Sequence, residues 1–544
     1  MEPQPVPRQS RPPATGTAAA RVTGWLLLVP AVVLTVLTLV VPTVRTVVTS
    51  FHAETFLPGS ESRNVGLDNY DALPGFWTSL WFALSLVVVP MIVAVVVAPL
   101  VAAALDWAGT WARWAARIVL SLTVVLFSPV ALTIAWQRDL RDDPTSLTDI
   151  DLVGGTIRSV TAMTTFGVVL AVGLMIFLPV FRARERRRSL WPALFATAAV
   201  AVLAMVAIGL QQFTVPFLTT RFGPRDATNT PMGLMYTSSF QQMRLGVGAA
   251  AATIVLAILA VLGIVAVLIV VLTRLRVSLL PSRQAPSAVP RPVHPGAIVL
   301  AALVLAAVVT AIVLNALPWL DALGGTTPEG RPGTQARTWG PALNGALVSV
   351  GAAYLAALGI SGLRPLGRHS EWLLMAFAPW LFVGLAPLSV EFFRSVQENG
   401  DVDTTGALTP RILVSTVSLV IIAVLCRGQS ERWRRQVAGG APAGASFLGT
   451  VVVPTLPLAG LLFVVALFLN AQDLLWPLLV STTPEHDTVT LTLYRLTEGF
   501  RQSDFSVAAA TPLLAVVLGA LAVVAVQVLH LDRMVAATGA SEDS

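Results

Sequence analysis

Two short polar clusters interrupt an otherwise apolar chain of 544 residues. Gln211, Gln212 and Thr214 lie in LQQFTVPFL at 210–218, and Asn470, Gln472, Asp473 and Trp476 lie in LNAQDLLWPLL at 469–479. Amides, a hydroxyl and a carboxylate next to an indole are groups that bind polyols. Planar polar side chains hold hydroxyls, and an aromatic face covers the C–H side of a sugar ring. Inside a membrane such groups are costly, so they predict an outer gate or a substrate pathway. The plainer alternative is that amides and Trp mark the membrane–water boundary, where both are at home.

Other chemistry is poorly supplied. His52, His294, His369, His486 and His530 are scattered without metal-ligand spacing, so no metal site is expected. The single cysteine, Cys426, allows neither an intramolecular disulfide nor a cysteine metal cluster. All 35 basic residues are Arg, and without Lys a standard phosphate-binding Walker A loop cannot be built. No nucleophile–base constellation is evident, so the chain is not expected to be an enzyme or to hold a cofactor. Glu391 and Arg394, one helical turn apart, read as a solvated pair. Arg45 and Arg158 read as side chains snorkelling to the interface.

The elements that must position the polar clusters are membrane helices. The chain is 55% hydrophobic and only 12% charged, which excludes an ordinary soluble protein. Apolar runs of spanning length are expected at 24–48, 80–105, 115–136, 157–181, 190–213, 246–273, 296–318, 342–363, 371–391, 409–426, 447–469 and 507–531. Arg-rich loops alternate with acidic ones, so the net charge of +6 reflects topology rather than nucleic-acid binding. Arg182, Arg184, Arg186, Arg187 and Arg188 mark one inside loop, and Asp139, Asp142, Asp143, Asp149 and Asp151 mark the outside loop before it.

The expected fold class is therefore an all-α integral membrane protein. It would have about twelve transmembrane helices in two tandem six-helix halves, with both termini inside. Residues 1–22 form a cytoplasmic N-terminus, 23–280 the first half, and 281–295 a Pro-rich linker. The second half covers 296–534 and a tail 535–544. An internal repeat supports the division: FQQMRLGVGAAA from Phe240 pairs with FRQSDFSVAAA from Phe500, each about 28 residues after a polar cluster. Transporter pathways commonly lie at such a repeat interface.

Several stretches resemble the permease subunits of type I ABC importers of the carbohydrate-uptake family, the maltose and glycerol-phosphate type. In the first half these are GWLLLVPAVVL at 24–34, VGLDNYDAL at 65–73, FSPVALTIAW at 127–136 and GPRDATNTPMGLMYTSSFQ at 223–241. In the second they are NGALVS at 344–349 and LNAQDLLWPLLVSTTPEHDTVTLTL at 469–493. The resemblance implies two permease subunits fused in one chain, in the bacterial inner membrane. Its partners would be cytoplasmic ABC ATPase subunits, which bind the ATP, and an extracytoplasmic solute-binding protein.

The family couples to its ATPase through a cytoplasmic EAA loop of form EAAxxDGA. Here the second half shows an eroded version in QVAGGAPAGASFLGTVVVP at 436–454, so Gln436, Ala438, Gly439, Gly440 and Ala441 are the coupling candidates. The first half runs through FLPVFRARERRRSLWP at 177–192 with no room for a coupling helix. The expectation is a carbohydrate or polyol permease. The alternative is a degenerate homologue acting as a membrane scaffold or sensor. A secondary transporter is disfavoured because the spans hold almost no carboxylates.

Overall fold

The computed structural model describes residues 18–55, 62–73, 75–140, 145–182, 190–280, 295–321, 333–498 and 511–539. Arg184, Arg186, Arg187 and Arg188, Asp142 and Asp143, linker residues 281–294 and the repeat segment from Phe500 lie outside the described residues.

The first half contains α1 (Ala18–Thr49), α2 (Phe76–Leu86), α3 (Val88–Ala108), α4 (Thr110–Val125), α5 (Pro129–Gln137) and α6 (Ile150–Phe181). It continues with α7 (Leu190–Leu210), α8 (Thr214–Thr220), α9 (Pro231–Tyr236) and α10 (Leu245–Leu272). The second half contains α11 (Pro295–Asp321), α12 (Thr334–Leu363), α13 (Ser389–Glu398) and α14 (Thr416–Ala438). After these come α15 (Ala443–Ala471), α16 (Leu475–Val480), α17 (Val489–Glu498) and α18 (Leu513–Leu529).

Among the described residues, eight helical runs are long and apolar enough to cross a bilayer. A ninth is added if α4 and α5, bent by 81°, form one span. The chain is thus a multi-pass, all-α membrane protein, and among the described residues not every run expected from the sequence is a regular spanning helix. Residues 371–391, read as a span, instead form short 3₁₀ turns at Gly367–Ala376, Ala378–Trp380 and Ala386–Leu388 before α13 begins. Pro379 and Pro387, each lacking an N–H, account for the failure to wind a continuous helix. Of the run expected at 409–426, residues 409–415 are not helical and 416–426 form the first part of α14, which continues to Ala438 through Arg427, Glu431, Arg432, Arg434 and Arg435. These residues propagate a helix as well as apolar ones do.

Prolines also shape the long helices. A widened π-turn precedes Pro42 (Val36–Val40), Pro99 (Val93–Val97) and Pro454 (Leu448–Val452). Each proline deprives the carbonyl four residues earlier of its donor, and the extra residue in the turn lets the helix continue past the gap.

One order of elements occurs twice. A long helix (α7 or α15) breaks, a short helix follows (α8 or α16), then a second short helix (α9 or α17), a long apolar helix (α10 or α18) and a strand. The strands, Arg276–Leu279 and Met534–Ala537, pair antiparallel with each other and bring the ends of α10 and α18 to one place.

The Arg-bearing segments gather at that end. Arg276 pairs with Glu431 at 2.8 Å, and Glu371 takes Arg364 at 2.6 Å and Arg427 at 3.5 Å. Gly428 lies against the Val277 carbonyl so closely that any Cβ would clash with it. The start of α1 belongs to the same end: Gly24 crosses Gly359, where a Cβ would sit 2.5 Å from the Gly24 carbonyl.

A second buried carboxylate there is Asp532, just past α18. Its Oδ1 receives Arg113 Nε at 3.2 Å, Arg182 Nη1 at 3.2 Å and Arg117 Nε at 3.9 Å, so three first-half arginines converge on one second-half carboxylate. Arg117 also donates to the Gln527 carbonyl, and the Gln527 amide donates to Ser121 Oγ at 2.9 Å. Removing one partner of a buried ionic cluster leaves charges without compensation. Asp532→Ala is therefore expected to destabilise the chain by about 3–5 kcal/mol, measured by thermal unfolding in detergent, with Asp532→Glu recovering part of the loss.

Candidate functional site

The two polar clusters occupy the two helix breaks, and the cause is again proline. Pro216 and Pro477 each stand five residues after a glutamine, Gln211 or Gln472. Neither can donate to the carbonyl four residues back, which belongs to Gln212 in one case and Asp473 in the other. Both carbonyls find a threonine hydroxyl instead. Thr230 donates to Gln212 O at 2.8 Å and Thr490 donates to Asp473 O at 2.8 Å. Thr230 then accepts the Gly233 N–H at 3.0 Å and starts α9, while Thr490 contacts Thr488 at 3.0 Å beside the start of α17.

The break in α15 opens onto a cavity of about 580 Å³. Of the candidates named from sequence, Gln211, Asn470, Asp473 and Trp476 line it, whereas Gln212, Thr214 and Gln472 do not. Gln472 is buried and spans the two halves, accepting Ser128 Oγ at 2.6 Å and donating to Thr511 Oγ1 at 3.0 Å. Among the described residues the first half contributes only Ala204, Ala207, Ile208 and Gln211, so the cavity is lined mainly by the second half.

Several lining groups already have partners. Gln211 donates to the Ala207 and Phe382 carbonyls at 2.9 and 2.8 Å and accepts the Gly384 N–H at 2.7 Å, tying α7 to the turns after Trp380. The Asp473 carboxylate accepts the Trp476 N–H at 3.2 Å, capping α16. Trp476, 2% exposed, donates its indole N–H to the Ala407 carbonyl at 2.7 Å, and the Arg411 guanidinium sits 5.7 Å from its ring centre. It anchors the cavity wall instead of offering a free stacking face. Asn470 makes one long contact, 3.4 Å to the Ala342 carbonyl, and is the least engaged of the four.

Sequence reasoning missed Arg337, Thr338, Ser349, Ser415, Thr416 and Thr488, which supply the rest of the polar lining. Arg337 and Thr338 are consecutive residues near the start of α12, before its apolar part, and only the packing of that helix against α15 brings them into the cavity. Glu391 and Arg394, read as a solvated pair, are separated in function: Glu391 is buried and accepts Thr49 Oγ1 at 2.7 Å, while Arg394 pairs with Glu54 and Glu398.

The segment that closes one side of the cavity through Leu408 and Pro410 is held by Asp403. Its carboxylate accepts the Thr482 and Thr483 N–H groups at 3.2 and 3.1 Å and the Thr483 hydroxyl at 2.6 Å. Desolvation pushes this carboxyl up, but those hydrogen bonds and nearby His486 outweigh it and hold it below the ordinary aspartate value.

The coupling candidates also have a defined structure. α14 runs through Gln436 and Ala438 and ends at Gly439, and Gly440 (φ +92°) turns the chain so that Ala441 N–H meets Gln436 O at 3.0 Å. Gln436 Oε1 accepts Thr450 Oγ1 at 2.6 Å, and Trp433 Nε1 donates to the Ala443 carbonyl at 3.0 Å. The segment is a tight hairpin from α14 into α15, with no separate helix between them. Glycines at 439 and 440 favour that turn over helix propagation.

Three measurements test this arrangement. Thr230→Val and Thr490→Val should each cost about 1–3 kcal/mol by leaving a buried carbonyl unpaired, with Thr→Ser tolerated at both positions in thermal unfolding. In a Cys426→Ser background, Asn470→Cys should react with a small water-soluble thiol reagent and Gln472→Cys should not. The contribution of Asp403 is complete above the ordinary aspartate value and lost as pH falls through its depressed native value. Protection of the Thr482 and Thr483 amides in hydrogen exchange, corrected for intrinsic rates, should fall only there.

No protein-family model matches this chain, and no curated protein matches it either.

Proposed function

We propose that the chain is the membrane permease of a binding-protein-dependent ABC importer of the carbohydrate-uptake type, with a carbohydrate or polyol as substrate. The observation that carries this reading is the duplicated break. Both halves use a proline-induced gap with its orphan carbonyl held by a threonine, and the second-half gap borders a cavity large enough for a small polar solute. The mixed lining of hydroxyls, Asn470, Asp473 and Arg337 with apolar side chains suits a polyol.

In this reading the Arg-rich end faces the cytoplasm of a bacterial cell. The chain crosses the inner membrane about twelve times, the 3₁₀ segment 367–388 and α14 serving as irregular or partly charged spans. ATP is bound by separate ATPase subunits, and a solute-binding protein docks at the opposite end.

The hairpin at 436–441 favours a second reading, that of a scaffold or sensor. ATPase closure needs a lever with different contacts in two states, and this turn is fastened to its own neighbours. Affinity purification of the full chain from its host membranes separates the two. The importer reading expects an ATPase to co-purify, and Asn470→Leu to lower sugar uptake at least about tenfold while the complex stays intact. Recovery of the chain without any nucleotide-hydrolysing subunit overturns that reading in favour of the scaffold.

A further inference from the structure

A second cavity, of about 480 Å³, lies at the Arg-rich end between α14, the start of α15 and the end of α18. Its polar lining is Gln429, Arg432, Gln436, Thr450, His530 and Arg533. Among the described residues its charged lining is Arg432 and Arg533, with no carboxylate.

The buried amide nitrogen Nε2 of Gln429, a residue only 2% exposed, faces this region without an acceptor among the described residues. An unmade hydrogen bond at a buried donor is costly, and an acceptor entering the cavity would remove that cost. Arg533 is held in place by donating Nε and Nη2 to the Leu280 carbonyl at 3.0 and 2.7 Å. Thr450 spends its proton on Gln436 Oε1, which leaves the Gln436 NH₂ as a further donor. Two guanidinium groups and two amide NH₂ groups around one space are the complement of a phosphate, which offers oxygen acceptors and negative charge.

The remaining wall decides what carries the phosphate. Leu279, Leu280, Gly449, Val453, Pro454 and Pro457 complete the lining, and Val453 is itself 59% exposed. The cavity therefore continues onto an outer face where Leu456 and Leu529 are also exposed. A polar pocket opening sideways onto apolar helix surface, at the basic end of a membrane protein, suits a headgroup inside with acyl chains lying along the helices.

We propose that this cavity is a binding site for the phosphate headgroup of an anionic phospholipid. The site includes Gln436 and stands against the α14–α15 hairpin, so an occupied cavity would brace the turn that the permease reading assigns to ATPase coupling. Binding itself does not depend on that reading.

Purified full-length chain is titrated with short-chain phosphatidylglycerol, short-chain phosphatidylcholine and inorganic phosphate, with thermal unfolding and native mass spectrometry as readouts. Phosphatidylglycerol should bind about tenfold more tightly than phosphatidylcholine. Gln429→Leu and Arg432→Gln should each weaken phosphatidylglycerol by about five- to tenfold and leave phosphatidylcholine unchanged. If Gln429→Leu does not fold, Arg432→Gln and the more exposed Gln436→Leu carry the test. Equal affinity for the two lipids, or variants that bind phosphatidylglycerol like the parent, overturns the proposal. Inorganic phosphate stabilising as well as phosphatidylglycerol at equal concentration would assign the site to a free anion and overturn the lipid. Sugar uptake is not measured, so failure here leaves the permease reading standing, and the reverse holds too.

Discussion

Within a membrane every backbone carbonyl must find its donor inside the protein, and two prolines make that constraint bite at corresponding places. Pro216 and Pro477 each orphan a carbonyl near the end of a long apolar helix. The chain answers both times by breaking the helix, starting a short one, and bringing back a threonine at the start of the next helix, Thr230 before α9 or Thr490 in the first turn of α17, to donate to the exposed oxygen. That return determines the path of the loops 221–230 and 481–488 and the starts of α9 and α17. The polar residues at the breaks follow from the same need, because amides and a carboxylate can cap and bridge where the helix ladder has stopped. Gln211 bridges to Phe382 and Gly384, and Asp473 caps α16. What looks in the sequence like a set of ligands is partly the scaffold that holds a cavity open.

The opposite end of the bundle is organised by charge. Asp532 collects Arg113, Arg117 and Arg182, while Glu371 collects Arg364 and Arg427. Each carboxylate joins segments distant in sequence, and the strand pair from Arg276–Leu279 to Met534–Ala537 closes the gap between the two long terminal helices. Buried ionic groups of this kind contribute more to specificity of assembly than to net stability, since their desolvation offsets much of the attraction. Here they lock the last helix of one half against the α4–α6 region of the other. The cavity beside Gln429, Arg432 and Arg533 lies at this Arg-bearing end.

The two breaks are packed differently. In the first, Phe213, Phe217, Phe222 and Tyr236 stack around the break and fill it, with Tyr494 of the second half completing the cluster. In the second, the space beside Asn470 and Asp473 stays open. A single-sided cavity places any bound solute against α12, α15 and the turns after Trp380, and leaves the first half as a packed wall.

Composition and hydropathy alone determined that the chain is helical, membrane-embedded and multi-pass, because spanning length and the cost of charge in lipid are local properties of sequence. The paired amide clusters, Gln211–Gln212 and Asn470–Asp473, also marked the two places where a long helix breaks. Other features depended on tertiary structure. Residues 371–391 are apolar enough to span, but Pro379 and Pro387 divide them into 3₁₀ turns whose polar groups are met by neighbours such as Gln211. Gln472 and Asn470 are chemically alike and two residues apart, yet one is locked to Ser128 and the other faces the cavity. Arg337 and Thr338 carried no signal at all until α12 packed on α15. Residue type determines what a side chain can bond to; which partner it meets, and whether any bonding capacity is left over, depends on contacts between residues hundreds of positions apart.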